Sequence, residues 1–81
     1  MIVEKGKYIQ FETSDLDPNL AWIIRNTKEG VAIAWIEWYP SWRKYVFVPG
    51  PNTCYEEVCL REIAAFIEKQ TRARKASKRK E

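Results

Sequence analysis

Histidine is absent from this 81-residue chain, and cysteine, glycine and methionine are scarce. Without an imidazole, the chain lacks the usual base that activates a serine or cysteine nucleophile. Two cysteines, Cys54 and Cys59, are too few for a structural zinc site, which takes four Cys or His ligands. The three glycines form no phosphate-binding motif. We therefore expect a protein that is not an enzyme and that holds no metal and no cofactor.

Long apolar runs are also missing. None approaches the roughly 20 residues that a membrane helix needs, and the start, MIVEKGKYIQ, lacks the basic-then-apolar order of a signal peptide. A small secreted domain would carry a larger cysteine framework. We expect a cytoplasmic protein with reduced thiols and no membrane association.

Charge is distributed unevenly along the chain. Residues 72–81 hold six basic and one acidic side chain, whereas the remaining residues hold eight basic and ten acidic ones. The net charge of +3 is therefore a property of the C-terminal end. This composition predicts one globular domain over residues 1–71 and a basic, flexible tail over residues 72–81.

Four stretches have the β-branched and aromatic composition of strands, at residues 8–13, 21–26, 31–39 and 43–48. The first of them has an alternative start at Ile2. Turn-forming residues at 14–19 and 27–30, the Pro40–Ser41 pair and the sequence PGPN at 49–52 separate or end the strands. The order predicts an antiparallel meander of four strands.

A helix is expected to follow the last strand. The sequence TCYE at 53–56 matches a capping box, and Leu60, Ile63, Ala64 and Ile67 recur at helical spacing. Beyond Thr71 the apolar stripe ends, so we expect the helix to end there. The predicted fold is α+β, with four antiparallel strands and one C-terminal helix packed on one sheet face.

A two-residue turn at Pro40–Ser41 would place Trp38 opposite Arg43 and Glu37 opposite Lys44. One face would then hold the set Ala32, Ala34, Ile36, Trp38, Tyr45 and Phe47, whose small alanines leave room for the helix. We expect this face to be the core. Arg43 is expected to stack on Trp38.

The opposite sheet face is expected to remain apolar and uncovered. If Asn26 and Val31 close the preceding turn, Trp22 would lie opposite Trp35. The predicted partner-binding residues are Trp22, Ile33, Trp35, Tyr39, Trp42, Lys44 and Val46. An exposed apolar patch of this kind is typical of a contact surface. The alternative is that the register differs by one residue, or that the tail or the N-terminus covers this face.

Two functions follow from these features. The first is a binding module that uses the uncovered face to bind a protein partner or its own copy, as in a homodimer. The second is a nucleic-acid binder that uses Tyr39 and Trp42 together with the basic residues of the tail. These are Arg72, Arg74, Lys75, Lys78, Arg79 and Lys80. A purely structural role in a virion is a third possibility.

Two stretches carry a resemblance to known proteins. They are IEWYPSWRKYVFVP at 36–49 and TCYEEVCLREIAAFIE at 53–68. The pair resembles small phage- and prophage-encoded proteins of unassigned function, in which a W-Y-x-x-W-R-x-Y hairpin precedes one helix. The resemblance implies a phage setting and action in the host cytoplasm, and by that setting an inhibitor of a host protein. It implies no active-site residues.

Overall fold

The computed structural model describes residues 2–14 and 20–79, and its side-chain detail covers residues 2–14 and 21–76. Its elements are β1 (Ile2–Lys5), β2 (Ile9–Thr13), β3 (Leu20–Asn26), β4 (Ala32–Tyr39), β5 (Lys44–Pro49) and α1 (Glu57–Arg79). The strands form one antiparallel sheet in the order β1-β2-β3-β4-β5. The predicted α+β meander with a C-terminal helix is confirmed. Most of the predicted turn at 14–19 lies outside the described residues.

The sheet has five strands rather than the predicted four, because the chain turns between residues 2–5, which the alternative start included in the first strand, and Ile9–Thr13. The amide of Gly6 donates to the carbonyl of Ile9 at 2.7 Å and closes a tight turn. The helix occupies the space beside this turn: a Cβ on Gly6 would lie 2.5 Å from the Glu62 carboxylate, which also accepts the Lys7 amide at 3.0 Å. Residues 2–5 therefore form a separate edge strand.

The β4–β5 hairpin has a longer turn than predicted. Pro40–Arg43 form a four-residue loop, in which the Trp42 amide donates to the Tyr39 carbonyl and Arg43 has a φ of 53°. The register places Trp38 opposite Tyr45 rather than opposite Arg43. Because the shift is two residues, every side chain of the hairpin stays on its predicted face.

The β3–β4 hairpin shifts by one residue instead. The predicted closing pair forms, with the Asn26 amide donating to the Val31 carbonyl at 3.0 Å. An irregularity then offsets the strands, so that Ile23 rather than Trp22 opposes Trp35. The extra residue is Ile33, whose carbonyl accepts both the Gly50 amide at 2.9 Å and the Tyr55 hydroxyl at 3.1 Å. These bonds hold the bulge in place.

The core lies between the sheet and one face of α1. Its buried members are Ile9, Phe11, Ile24, Ala34, Ile36, Cys59, Ile63 and Phe66. Phe66 stacks on Phe11 with ring centroids 4.1 Å apart, and Trp22 meets the Phe66 ring edge-on at 5.1 Å. The bulge therefore turns Trp22 toward the helix.

The buried face of α1 is rotated relative to the predicted stripe. Phe66 and Cys59, which are not members of that stripe, are buried with Ile63. Leu60, which was expected inside, is 48% exposed. The stacking of Phe66 on Phe11 accounts for the rotation, since it brings the largest apolar side chain of the helix into the core.

Glu56, rather than Thr53, caps the helix. Its carboxylate accepts the Cys59 amide at 2.7 Å, while the Thr53 hydroxyl donates to the Gly50 carbonyl. The predicted capping box does not form. The bond from the Cys59 amide is the main cause that lowers the pKa of the Glu56 carboxyl, because it stabilises the ionised form.

The helix does not end at Thr71, as predicted, but continues to Arg79. Arginine, lysine and alanine dominate this part of the chain, and all three favour helix. The Arg74 guanidinium lies 3.8 Å from the centroid of the Trp38 ring, in the place predicted for Arg43. Among the described residues, no helix has the length and apolarity needed to cross a membrane.

The rotation of α1 can be tested with two alanine substitutions. Ile63→Ala opens a cavity in the core and is expected to lower the free energy of unfolding by about 2–5 kcal/mol. Leu60→Ala, the matched control on the same helix, should cost about 0.5 kcal/mol or less. Urea unfolding followed by circular dichroism measures both. Equal losses would show that the helix presents the predicted stripe instead.

The Glu56 cap predicts a pH dependence. The pKa of Glu56 is lower in the folded state, so its contribution to stability is present above the unfolded pKa and is lost as the pH falls through the folded pKa. Glu56→Gln should therefore unfold at lower urea than the wild type at pH 7, and the gap should narrow below about pH 4.5. Glu29→Gln, in an exposed turn, is the control. A gap that is constant with pH would contradict the charged cap.

Candidate interaction surfaces

The sheet side that faces away from α1, here called the outer face, has no helix over it among the described residues. Its apolar members on the last three strands are Ile23, Trp35, Tyr39, Val46 and Val48. Tyr39 is 39% exposed, and the other four are half-buried. The outer face is therefore a partly open apolar surface.

Most of the predicted partner-binding residues reach this surface. Trp35, Tyr39, Lys44 and Val46 alternate correctly on β4 and β5, and Trp42 lies in the turn that joins these strands. The predicted placement on this face is wrong for two residues. Trp22 and Ile33 pack against the core, because the bulge at Ile33 moves β3 by one residue. The same shift brings Ile23 to the outer face, which the sequence did not reveal.

Two rings stand at the end of the outer face. The centroids of Tyr39 and Trp42 are 4.6 Å apart, with ring planes tilted by 37°. Trp42 is 65% exposed, so it keeps most of its surface open. Arg43 follows it with a positive φ, a conformation that most side chains avoid. This less common backbone conformation at Arg43 lies in the loop that joins the two aromatic residues to β5.

Trp35 lies beside Gly50, at the bulge in β4. A Cβ placed on Gly50 would collide with the carbonyl oxygen of Ile33 and would lie 3.5 Å from the Trp35 ring. Only glycine lets the chain pass this closely over the bulge. Gly50 therefore fixes the bulge and sits beside the indole of Trp35.

The β2 side of the outer face is polar. Glu12 accepts hydrogen bonds from Gln10 at 2.7 Å and from Arg25 at 3.1 Å. The bond from Gln10 is the main cause that lowers the pKa of the Glu12 carboxyl, and Arg25 adds to it. Arg25 also donates to the Gly30 carbonyl. The outer face therefore has a polar part, in which Glu12 and Arg25 are paired, beside its apolar part.

A groove of about 400 Å³ lies between α1 and the edge strand β5. Its lining residues are Lys44, Ala64, Ile67, Glu68, Thr71, Arg72 and Lys75. Thr71 is buried at its base, where its hydroxyl accepts the outward amide of Tyr45 at 3.2 Å. The groove thus has an apolar part and a rim with three cations and one carboxylate. Glu68 already pairs with Arg72 at 3.1 Å.

The predicted nucleic-acid residues are divided by the helix. Arg72 and Lys75 line the groove, whereas Arg74 turns to the sheet and donates to the Tyr45 hydroxyl at 3.4 Å. The side chains of Lys78 and Arg79, and the whole of Lys80, lie outside the described residues. The basic residues therefore differ in their surroundings, whereas a simple charge count treats them as equivalent.

Both cysteines are free thiols, Cys54 exposed and Cys59 buried. Burial is the main cause that raises the pKa of the Cys59 thiol, since it disfavours the thiolate. Within residues 2–14 and 20–79, no three Cys, Asp or Glu side chains are grouped as metal ligands would be. Among the described residues, the outer face and the groove are therefore the candidate interaction surfaces.

The role of Gly50 can be tested against Gly6. Gly50→Ala would force backbone apart at the bulge and should lower the free energy of unfolding by about 1–3 kcal/mol. Gly6→Ala is the matched control, because the nearest atoms to its Cβ belong to the end of the Glu62 side chain rather than to backbone. Chemical denaturation of the two variants makes the comparison. If Gly6→Ala proves the more costly, Gly50 does not hold the bulge.

Comparison with known proteins finds no matching family model, no matching curated protein and no matching solved structure. The resemblance to phage-encoded proteins therefore rests on the two sequence stretches that carry it, and it stays a prediction. The geometry of the outer face and the groove is the basis for the functional proposals below.

Proposed function

We propose that this protein is a non-enzymatic binding protein whose outer face docks a protein, most simply a second copy of the same chain. The observation that carries the proposal is the exposed pair Tyr39 and Trp42 beside the half-buried Trp35 and Val46. Aromatic residues of this kind dominate binding hot spots. The helix covers the opposite sheet face, so nothing else described shelters this one.

Charge balance favours a second copy as the occupant. Glu37 and Lys44 stand on the outer face with opposite signs, and Arg25 is already paired with Glu12. A patch that carries both signs can meet itself across a twofold axis, with each Glu37 near the other copy's Lys44. A strongly single-signed patch would repel its copy.

The small core also favours association. A domain of this size retains only about 3–5 kcal/mol of stability from its own core. Covering Trp35, Val46 and Trp42 would remove further apolar surface from water. In a phage setting the same face would instead bind a host protein in the host cytoplasm. This alternative rests on the resemblance alone.

Solution mass tests self-association. The wild type should exceed its monomer mass of 9.6 kDa in light scattering as its concentration rises. Val46→Lys places a charge on the apolar part of the outer face and should keep the protein monomeric. Val31→Lys is the matched control, because Val31 is an exposed valine in the turn region between β3 and β4, and it should associate like the wild type.

Circular dichroism shows whether each variant is folded. A wild type that stays monomeric at millimolar concentration would rule out the second copy as the occupant. Association that survives Val46→Lys in a folded protein would place the interface elsewhere.

A further inference from the structure

The helix C-terminus and the β4–β5 turn meet at one end of the molecule. Thr53, four residues before α1, bonds Gly50, and the helix then passes Gly6, where Glu62 contacts the β1–β2 turn. It ends beyond Arg74, which lies on Trp38 near the opposite end of the sheet. The basic part of the chain is therefore brought to the end of the sheet that carries Tyr39 and Trp42, on the helix side of that end.

Lys44 connects the two features. It pairs with Tyr39 across the hairpin, and it also lines the groove with Arg72 and Lys75. Tyr39 in turn contacts Trp42. We call this set, made up of Tyr39, Trp42, Lys44, Arg72 and Lys75, the basic corner. Lys44 therefore stands between the other two cations of the groove and the two rings.

The charges of the basic corner favour an anion. Three cations line the groove against one carboxylate, Glu68, which is already engaged by Arg72. Arg43 adds an exposed cation beside Trp42. The described part of the groove therefore keeps a positive excess.

The edge of β5 offers few amides to an added strand. The outward amide of Tyr45 is already bonded to Thr71, and Pro49 has no amide to offer at the end of the strand. A peptide that extended the sheet here by regular backbone pairing would lack these two donors. Recognition by charge and by contact with rings fits this edge better.

We propose that the basic corner binds single-stranded nucleic acid. Lys44, Arg72 and Lys75 contact successive phosphates along the groove, and an unpaired base stacks on the open side of Trp42. The apolar groove residues Ala64 and Ile67 contact sugar or base carbons. Single strands fit because their bases are free to stack, whereas a duplex hides them. This site does not include Trp35 and Val46 of the outer-face interface, but it shares Tyr39, Trp42 and Lys44 with that interface, so a second copy and a nucleic acid would compete.

Fluorescence anisotropy with a labelled oligothymidylate of about 12 nucleotides measures binding, with site sizes of about 4–16 nucleotides being usual for folds that bind this way. Trp42→Ala should weaken binding about 5- to 150-fold, the range expected for losing one stacked base. The affinity of the wild type should fall with salt, with a slope near −2 in a double-logarithmic plot for three phosphate contacts.

A matched pair of triple variants separates the site from net charge. Replacing Lys44, Arg72 and Lys75 by glutamine should abolish most binding and flatten the salt dependence. Replacing Lys5, Lys7 and Lys28 by glutamine removes the same charge from exposed positions at the other end of the sheet, and it should leave most binding intact. Equal losses in the two variants would overturn the site.

Three further outcomes would overturn the proposal. They are tighter binding to a duplex of the same length, full competition by polyglutamate, and loss of binding after substitution of residues 78–80 while Lys44 and Trp42 are dispensable. Val46→Lys keeps this test separate from self-association: because the proposed dimer would cover Trp42, the monomeric variant should bind the oligonucleotide at least as tightly as the wild type does.

Discussion

One helix cannot cover both faces of a five-stranded sheet, and the rest of this structure depends on that constraint. The covered face is filled by the stack of Phe66 on Phe11 and by Trp22 at its edge. The other face keeps Trp35 and Val46 half-buried without a helix over them. A small chain with this architecture keeps an apolar surface partly open, and such a surface is typical of a contact site.

The faces of β4 and β5 could be predicted because strand side chains alternate with a period of two. The four-residue turn moved the register by two residues, so Trp38 and Tyr45 stayed inside. The face of Trp22 could not be predicted. One extra residue at Ile33 reverses the sides of β3, and it is stabilised by Gly50 and Tyr55, which lie far along the chain.

The helix shows the same limit. Apolar spacing located it but did not orient it, since Leu60 and Phe66 fit neighbouring stripes and only the position of Phe11 decides between them. The disappearance of apolar residues after Thr71 suggested that the helix ends there. It continues to Arg79, and Arg74 helps to hold it on the sheet, because a guanidinium can pack on an indole much as an apolar side chain does. This contact joins the basic residues to the aromatic hairpin, a juxtaposition that charge counting could not reveal.

The central claim is that the outer face is open in the single chain and becomes covered on association. The four tryptophans report on it individually, because two lie on the helix side and two on the outer side or its turn. Indole N–H resonances in a nitrogen-15 NMR dilution series measure this most directly. The account predicts that the signals of Trp35 and Trp42 move with protein concentration while those of Trp22 and Trp38 stay in place. Signals of Trp35 and Trp42 that do not move, or an equal movement of all four, would contradict it.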